Sequence, residues 1–294
     1  MLRRTYSVYN AVGQVPVVHT LPEYEQVCGV TSLADEVYVL RRVQNVYLAF
    51  GMEEAQDHTV EEYDVINYGL QRRLTMSLRG VTDMTSCEHY RCVYIADSGK
   101  CIHRLDVQGA FTRWAVNDRP WGISVNATHN LLVTCGLYVR KIKEFSSHGD
   151  LLRELTLPDD VINPLHAIQT RNGEFIVCHG RRDDAVHRVC KISADGRHII
   201  KSHGGQRGSG IGQYDVPRHL AVDDNEFVFV ADVYNERVTL LSPTLDYMRQ
   251  VVSPDDLKWY PDRLCLDIHR RRLYVTDSEW LSATTKGRVV VFSV

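Results

Sequence analysis

The stretch GGQRGSGIGQYDVPRHLAVDDNEFVFVADVYNERVTLL, residues 204–241, contains the clearest structural pattern in the chain. A glycine-rich turn and Pro217 precede an apolar run at 219–222, and an Asp-Asp-Asn turn leads into a second apolar run at 227–231. Two short apolar runs joined by a tight turn rich in Asp and Asn predict a β-hairpin. A third run begins at Arg237 after a short loop, so the stretch predicts three consecutive antiparallel strands.

The second apolar run of this unit recurs along the chain. Each copy ends in a small or polar residue, and the six copies lie at 37–41, 93–97, 132–135, 176–179, 229–232 and 274–277. The ends of successive copies are 38 to 56 residues apart. Such a period fits one repeat of four short strands with turns of varying length.

The pattern within 204–241 resembles the NHL repeat, one blade of a β-propeller. The residues that carry the resemblance are Pro217, Leu220, Ala221, Val222, Asp223, Val230, Ala231, Asp232, Asn235, Arg237 and Val238. The resemblance extends over essentially the whole chain, with one strong repeat and five degenerate ones. It implies a propeller whose relatives mostly serve as interaction modules. Some relatives bind single-stranded or hairpin RNA, and one, the peptidyl-hydroxyglycine amidating lyase, is a metalloenzyme.

We therefore expect an all-β protein, a single six-bladed NHL-type β-propeller over residues 1–294. The blades are expected at roughly 24–78, 79–116, 117–158, 159–203, 204–253 and 254–294, with 3–9 added to the last. The sixth unit has only three strands before Val294, whereas 5–9 reads as a strand without a partner. An N-terminal strand that completes the last blade would close the ring and remove exposed sheet edges.

The composition favours a cytoplasmic protein whose partner is not primarily nucleic acid. The chain is 44% hydrophobic with a formal charge of -3, and a nucleic-acid-binding protein usually carries a basic surplus. The eight cysteines include no C-x-x-C pair, which favours buried free thiols in a reducing compartment. No apolar stretch approaches the roughly 20 residues of a membrane span, and the start of the chain lacks a hydrophobic signal core.

The most specific departure from the repeat lies at the start of the first strand of each blade. The NHL repeat usually has glycine there, which lets six strands crowd the axis. The aligned residues are Gly29, Gly80, Gly122, His166, His219 and Arg263. The last three belong to consecutive blades and should be neighbours in space. We expect them, with the adjacent Arg218, at the mouth of the central channel on the upper face. They could donate hydrogen bonds to an anion or a carboxylate side chain, the histidines could ligate a metal through a ring nitrogen, or the side chains could simply plug the channel.

Loops expected on the same face carry further candidates for partner binding. His179 replaces the aspartate of the repeat in blade four and opens a charged loop with Arg181 and Arg182. Tryptophan and arginine on loops are typical hot-spot residues of interfaces. The remaining candidates are Arg119, Trp121, Trp259 and Trp280.

These features favour a non-enzymatic binding scaffold that recognises a protein or peptide on its upper face. The alternatives are a single-stranded RNA-binding NHL domain and a metal-dependent lyase or hydrolase that uses the channel-mouth histidines. In the lyase, metal-binding histidines directly follow the proline, whereas here Trp121, Leu165, Arg218 and Asp262 do so. We predict no catalytic residue, no metal ligand, no cofactor, no membrane partner and a monomeric domain.

Overall fold

The computed structural model describes residues 15–43, 56–136, 139–279 and 286–294. Within these residues the chain forms six antiparallel sheets, each built around strands that follow one another in sequence. The first strands of the six sheets contact one another in succession round a closed ring. They are therefore the inner strands, and each sheet is a blade. The predicted six-bladed β-propeller is confirmed.

The described chain begins with β1 (Val17–Thr20) and β2 (Tyr24–Glu25), which both belong to the last blade. Blade one contains β3 (Val27–Leu33), β4 (Glu36–Arg42), β5 (Gln56–Asp64) and β6 (Leu70–Leu78). Blade two contains β7 (Val81–Cys87), β8 (Cys92–Asp97), β9 (Cys101–Asp106) and β10 (Phe111–Ala115). Blade three contains β11 (Pro120–Val125), β12 (Leu131–Cys135), β13 (Lys141–Phe145) and β14 (Leu151–Thr156).

The second half of the ring has the same organisation. Blade four contains β15 (Pro164–Gln169), β16 (Phe175–His179), β17 (Val186–Ile192) and β18 (Ile199–Gln206). Blade five contains β19 (Pro217–Val222), β20 (Val228–Asp232), β21 (Arg237–Leu241) and β22 (Tyr247–Val252). Blade six contains β23 (Tyr260–Asp267), β24 (Arg272–Ser278) and β25 (Lys286–Ser293). Short 3₁₀ helices occur at Val233–Asn235 and Pro254–Asp256.

The ring is closed by a strand from the N-terminal part of the chain. Strand β1 pairs antiparallel with β25, with Val17 opposite Phe292. The expected closing segment, 3–9, lies outside the described residues, and the described closing strand is Val17–Thr20. The fully buried Arg41 of blade one ties this closure together, since its guanidinium donates to the carbonyls of Pro22, Glu25 and Gly287 at 2.8 to 3.1 Å.

The strand order gives the propeller two distinct faces. The loops that lead into the inner strands and the loops that join the second and third strands lie together on one face, which we call the upper face. The turns between the first and second strands and between the third and fourth strands lie on the lower face. Of the candidates named above, Arg119, Arg181, Arg182 and Trp259 lie in loops of the upper face.

The hydrophobic core lies between the blades. Six clusters of buried apolar side chains are found among the described residues, and each combines residues of two adjacent blades. Burial of this surface, at about 25 cal/mol per Å², is the main force that holds neighbouring blades together. All eight cysteines are free thiols, and no helix in the described part of the chain is long and apolar enough to cross a bilayer.

Aspartates at the upper ends of the second strands of blades five and six brace the upper loops. Asp232 accepts hydrogen bonds from the Asp215 amide at 2.7 Å and from the side chains of Asn235 and Arg237 at 2.8 Å. Asp277 likewise accepts from the amide of Trp259 at 2.7 Å. These contacts satisfy loop N–H groups that would otherwise be buried without partners.

Candidate functional site

Each inner strand carries an irregularity in its pairing with the second strand, close to the upper face. In blade five, Pro217 lies opposite Asp232, and the next paired residue is His219, opposite Ala231. The unpaired residue between them marks a β-bulge, which changes the direction in which the next side chain points. The residues at the position of His219 in the six blades are Gly29, Asp83, Gly122, His166, His219 and Arg263.

The assignment of Gly80 to this position in blade two was wrong. Val81 lies opposite Asp97, and Asp83 lies opposite Ala96, which is the pairing that surrounds the bulge in the other blades. Gly80 lies before the strand with a φ of +49°, so it serves the turn that leads into β7. The axial position of blade two is therefore occupied by an acidic side chain.

Asp83 lies at the centre of a cluster formed with the three basic residues of this position. Its Oδ1 is 3.0 Å from Arg263 Nε and 3.3 Å from His219 Nε2, and its Oδ2 is 3.8 Å from His166 Nε2. The two imidazole centroids are 3.9 Å apart. We call Asp83, His166, His219 and Arg263 the axial cluster. The sequence predicted that the three basic residues are neighbours, and it missed the carboxylate that they share.

A second carboxylate extends the cluster towards the surface. Asp262 Oδ1 is 2.6 Å from Arg263 Nη1 and 2.5 Å from Arg218 Nε. Positive and negative groups therefore alternate from Arg218 through Asp262 and Arg263 to Asp83. Each buried charge has an opposite charge beside it, which is the condition under which buried ions are tolerated.

The axial cluster also satisfies backbone groups of the inner strands. These strands are the edges of their sheets, so one side of each has no β-ladder partner. Asp83 Oδ2 accepts from the Ile123 amide at 2.7 Å, and His166 Nε2 lies 3.2 Å from the Ile123 carbonyl. The Leu264 amide donates to His219 Nδ1 at 3.3 Å, and Arg263 donates to the Thr82 carbonyl. The cluster thus links blades two to six at the axis.

The two glycines of the ring make room for this arrangement. A Cβ at Gly122 would lie 2.5 Å from the Leu165 carbonyl oxygen and 2.8 Å from the His166 ring. A Cβ at Gly29 would lie 2.6 Å from Met84 Cβ. Side chains therefore fill the axis from blades two, four, five and six, while blades one and three contribute only backbone.

Burial sets the charge states of the cluster. Desolvation lowers the pKa of His166 to about 3, with a further contribution from His219, so its imidazole is neutral at physiological pH. Burial alone would raise the pKa of Asp83, but His219, Arg263 and His166 together hold it well below its usual range. Asp83 is therefore an anion, and the guanidinium of Arg263 is its permanent positive partner.

Three residues of the cluster have side chains that ligate metals in other proteins. Asp83, His166 and His219 each place one ligand atom within 4.8 Å of the others. However, Arg263 Nε lies 3.0 Å from the same Asp83 oxygen that faces His219, and both Asp83 oxygens accept backbone amides. A divalent cation would lie against this guanidinium, so the arrangement fits an arginine–carboxylate pair better than a metal centre.

The axial cluster closes the channel on its upper side. Its four side chains are buried, with exposures of 0 to 6%, so they do not form the open mouth that the sequence suggested. The cavity at the axis extends instead from His166 and His219 towards turns of the lower face that contain Asp35, Glu88 and Arg270. Through Asp262, the cluster is connected to Arg218, whose side chain is 23% exposed.

The candidates that do reach the upper surface combine cations with aromatic rings. The guanidinium carbons of Arg119 and Arg181 lie 5.6 and 5.4 Å from the centroid of the Trp121 ring. These distances are within the range of cation–π attraction. Trp121 belongs to blade three and Arg181 to the loop that leaves β16 of blade four, so this contact joins two blades.

Two further pairs continue this pattern on blades four to six. Arg182 lies over Tyr234 at 5.3 Å, and Tyr234 packs edge-on against Tyr260 at 5.7 Å. Lys258 Nζ lies 4.6 Å from the Trp259 centroid. We call the set comprising Arg119, Trp121, Arg181, Arg182, Tyr234, Lys258 and Trp259 the upper-face band. The sequence suggested Arg119, Trp121, Arg181, Arg182 and Trp259. For Tyr234, the available signal was its position on the loop after β20.

Two candidates do not belong to this band. His179 is fully buried at the end of β16, where its Nδ1 lies 3.2 Å from the Ile162 carbonyl and its Nε2 accepts from Arg188 at 3.2 Å. Burial lowers its pKa to about 4. It therefore supports the loop instead of contacting a partner. Trp280 lies outside the described residues.

Comparison with known proteins supports the resemblance predicted from the repeat. No family model matches the chain. NHL repeat-containing protein 3 from Homo sapiens is 26% identical over 170 residues, which cover 50% of this chain and 47% of the relative, and the protein of that name from Mus musculus gives the same values. The match thus spans about half the length of these curated relatives.

Solved structures share the fold at low identity. Hydrazine synthase of Kuenenia stuttgartiensis has a TM-score of 0.62 at 12% identity, covering 96% of this chain and 99% of that chain. Virginiamycin B lyase from Staphylococcus aureus has a TM-score of 0.58 at 11% identity, covering 93% and 88%. At these identities the likeness concerns the fold alone.

Together the blades, the axial position and the braced upper loops define the class as a six-bladed β-propeller that resembles NHL-repeat propellers. Among curated proteins, the chain is similar to NHL repeat-containing protein 3.

Proposed function

We propose that this propeller is a non-enzymatic binding scaffold that recognises a protein partner through the upper-face band. The observation that carries the proposal is the contact of Arg119 and Arg181 with Trp121. It holds a large aromatic ring and two guanidinium groups in fixed positions between two blades. Tryptophan, tyrosine and arginine are the residue types that dominate binding energy in interfaces.

The positive charges of Arg181 and Arg182 are available to a partner. Among the described residues, neither the Arg181 nor the Arg182 guanidinium forms an ion pair with a carboxylate, and their partners are aromatic rings. A guanidinium on a ring keeps most of its N–H donors directed outwards. Arg182 is exposed, while Trp121 and Arg181 are half-buried, so the side chains are ordered before a partner arrives and little conformational entropy is lost on binding.

The surroundings of the band favour protein over single-stranded RNA. Carboxylates lie in the same upper loops, where Asp118 is 2.7 Å from Lys143 and Glu23 is 2.8 Å from Lys258. The formal charge of the whole chain is -3. Phosphate binding needs a surplus of unpaired cations along a groove, whereas protein interfaces tolerate charges of both signs at their rims.

The test compares a band variant with a variant of the lower face. Trp121→Ala combined with Arg181→Ala removes the central contact, and Arg197→Ala removes an exposed arginine from the turn between β17 and β18. Proteins cross-linked to each variant in extracts of cells that contain the protein are quantified by mass spectrometry. We expect specific partners of the wild type to fall about tenfold or more with the double variant, as for loss of a hot spot, and to persist with Arg197→Ala.

A second measurement separates protein from RNA. A mixed-sequence single-stranded RNA is titrated into the protein at about 50 and about 200 mM salt, since phosphate contacts give a steep loss of affinity with salt. Salt-sensitive RNA binding that disappears in the double variant, together with unchanged protein partners, would replace this proposal with the RNA-binding one. Protein partners that respond equally to both variants would contradict it as well.

A further inference from the structure

The loop that joins blades four and five displays an apolar side chain that does not belong to the upper-face band. We call residues 207–216, between β18 and β19, the glycine loop. Ile211 within it is 81% exposed. Isolated exposed apolar side chains are common on soluble proteins, so this exposure indicates no function by itself. What distinguishes Ile211 is that contacts with both adjoining blades hold its loop in place.

Blade five fixes the glycine loop on both sides of Ile211. The guanidinium of Arg237, at the start of β21, donates to the carbonyls of Ser209 and Gln213 at 3.0 and 2.8 Å. Within the loop, the Gly210 amide donates to the side chain of Gln213 at 3.1 Å. Because the backbone is hydrogen-bonded just before and just after Ile211, the direction of its Cα–Cβ bond is set before any partner binds.

Blade four connects the same loop to the upper-face band. The Arg207 guanidinium donates to the Arg182 carbonyl at 2.9 Å. The buried His187 reaches both loops, since its Nε2 lies 2.8 Å from the Arg181 carbonyl. This contact places a proton on Nε2 and leaves Nδ1 to accept from the Val216 amide at 2.9 Å. The glycine loop is therefore held in a fixed position relative to the two arginines of the band.

The charge that this surface offers to a partner is that of Arg182. Its guanidinium lies over the Tyr234 ring at 5.3 Å and forms no ion pair with a carboxylate of the described residues. Arg207, by contrast, is paired with Asp215 at 2.9 Å. The carboxylate of Asp183 is exposed as well, but no contact found in the described part of the chain fixes its side chain. Since an already ordered group loses less entropy on binding, Arg182 is better suited than Asp183 to pair with a partner.

From the exposed Ile211, the hydrogen bonds that fix its loop and the adjoining cation, we infer that the glycine loop inserts Ile211 into an apolar pocket of a folded protein partner, with a carboxylate of that pocket's rim against Arg182. The inference rests on the proposed function, because it specifies the kind of protein that the upper face recognises. A side chain that projects from a fixed loop needs a concave receptor, which a folded domain offers and an extended peptide does not. Burial of the isoleucine then stabilises the complex through the hydrophobic effect.

A matched pair of isoleucine variants of the whole protein tests the contribution of this side chain. Ile66 is 84% exposed in the turn between β5 and β6 on the lower face, so Ile66→Ser is the control for Ile211→Ser. Proteins cross-linked in cell extracts are quantified as in the test of the band. We expect partners of the wild type to fall about tenfold or more with Ile211→Ser, and about fourfold or less with Ile211→Val, which removes one methylene. They should stay within about twofold with Ile66→Ser.

The outcomes separate this inference from the proposed function. Partners that are lost with the Trp121→Ala and Arg181→Ala double variant but retained with Ile211→Ser would overturn the inference and leave the proposed function standing. Partners that respond to neither variant would overturn both. Equal losses with Ile211→Ser and Ile66→Ser would also overturn the inference, since they would show no preference for the upper face.

A photochemical cross-link tests the chemistry of the receptor. An aliphatic amino acid that carries a diazirine replaces either Ile211 or Ile66, and the attached partner residues are identified by mass spectrometry after irradiation. We expect position 211 to attach to the partners that Ile211→Ser loses, at apolar residues of a folded domain with Asp or Glu at the rim. No adduct from position 211, equal adducts from position 66, or attachment to an extended or basic segment would overturn the inference.

Discussion

The axial cluster and the upper-face band contain the same kinds of side chain in opposite settings. In the axial cluster, Arg263 is buried and contacts the carboxylates of Asp83 and Asp262. In the band, Arg181 is half-buried and contacts the Trp121 ring. A buried guanidinium must be neutralised by carboxylates, since the cost of removing its water is several kcal/mol. A guanidinium on a half-buried ring, as at Arg181, keeps part of its water and has no carboxylate partner among the described residues.

The sequence placed the residues of both regions on one surface. The difference in burial indicates that one region stabilises the fold and that the other is suited to binding. The charged groups of the axial cluster pair with one another in contacts that link blades two to six. The cluster therefore stabilises the folded propeller. In the band, the guanidinium groups of Arg181 and Arg182 are held on aromatic rings, and neither forms an ion pair with a carboxylate of the described residues. This part of the band is therefore suited to recognition. The comparison can be tested by breaking each region in turn.

The largest effect is expected from removing the central carboxylate. Asp83→Ala leaves Arg263 without one of its two carboxylates and removes the acceptor of the Ile123 amide. Breaking a buried pair in this way costs about 3–5 kcal/mol. Urea unfolding monitored by tryptophan fluorescence measures this loss as a fall in the transition midpoint.

The matched control for this variant is Asp224→Ala. Asp224 is exposed and pairs with the exposed Arg171 at 2.9 Å, and such surface pairs contribute roughly 0–1 kcal/mol. If the two aspartate variants lose similar stability, the axial cluster is not the link between blades that its geometry indicates.

The second expected effect is a dependence of stability on pH, which should arise from buried histidines and not from the band. Burial lowers the pKa of His58 and His179 to about 4 and of His166 to about 3. As the pH falls, these imidazoles are protonated in the unfolded chain before they are protonated in the folded protein. The free energy of unfolding is therefore highest above the unfolded pKa of 6.5 and declines as the pH falls below it. Each imidazole contributes a loss of about 1.4 kcal/mol per pH unit in that window.

Three carboxyls of the described residues oppose this trend. Burial raises the pKa of Asp232 to about 6 and of Glu62 to about 7, and it also raises the pKa of Glu25, so the folded state takes up protons there before the unfolded chain does and gains stability as the pH falls from about 7 towards 4. Burial lowers the pKa of a fourth imidazole, that of His203, as well, and the four imidazoles together outweigh the three carboxyls. We expect the free energy of unfolding to be lower at about pH 5.5 than at about pH 7.5. A flat or rising profile in urea unfolding at these two values would contradict the neutral, buried histidines.

The fold could be predicted from the sequence because the second strand of each blade repeats a local apolar pattern. The hydrophobic core between blades requires that pattern in every repeat. The three basic axial residues could also be predicted, since each replaces a glycine at a fixed distance from the pattern. The carboxylate between them could not be predicted in the same way, because a nearby glycine, Gly80, appeared to fill its position.

The β-bulge explains this error and shows what signal was present. In the other five blades the axial residue precedes the last residue of the second-strand pattern by 12 to 14 positions, as His219 precedes Asp232, whereas Gly80 precedes Asp97 by 17. Asp83 lies at the regular spacing of 14. The upper-face band was only partly predictable, since contacts such as that of Arg182 with Tyr234 join loops of different blades and leave no periodic trace in the sequence.

The smallest effect on stability is expected in the band, and it completes the comparison. Arg181→Ala removes one of the two guanidinium groups at Trp121 and leaves the Arg181 amide bonded to Asp184 at 2.7 Å. A cation–π contact that solvent still reaches is worth about 0.5–1 kcal/mol, so urea unfolding should show a loss of no more than about 1 kcal/mol. Because no imidazole or thiol belongs to the band, that small loss should be the same at about pH 5.5 and about pH 7.5. A loss as large as that of Asp83→Ala, or one that varies with pH, would mean that the band holds the upper loops together in the way the axial cluster holds the inner strands, and the distinction between the two regions would fail.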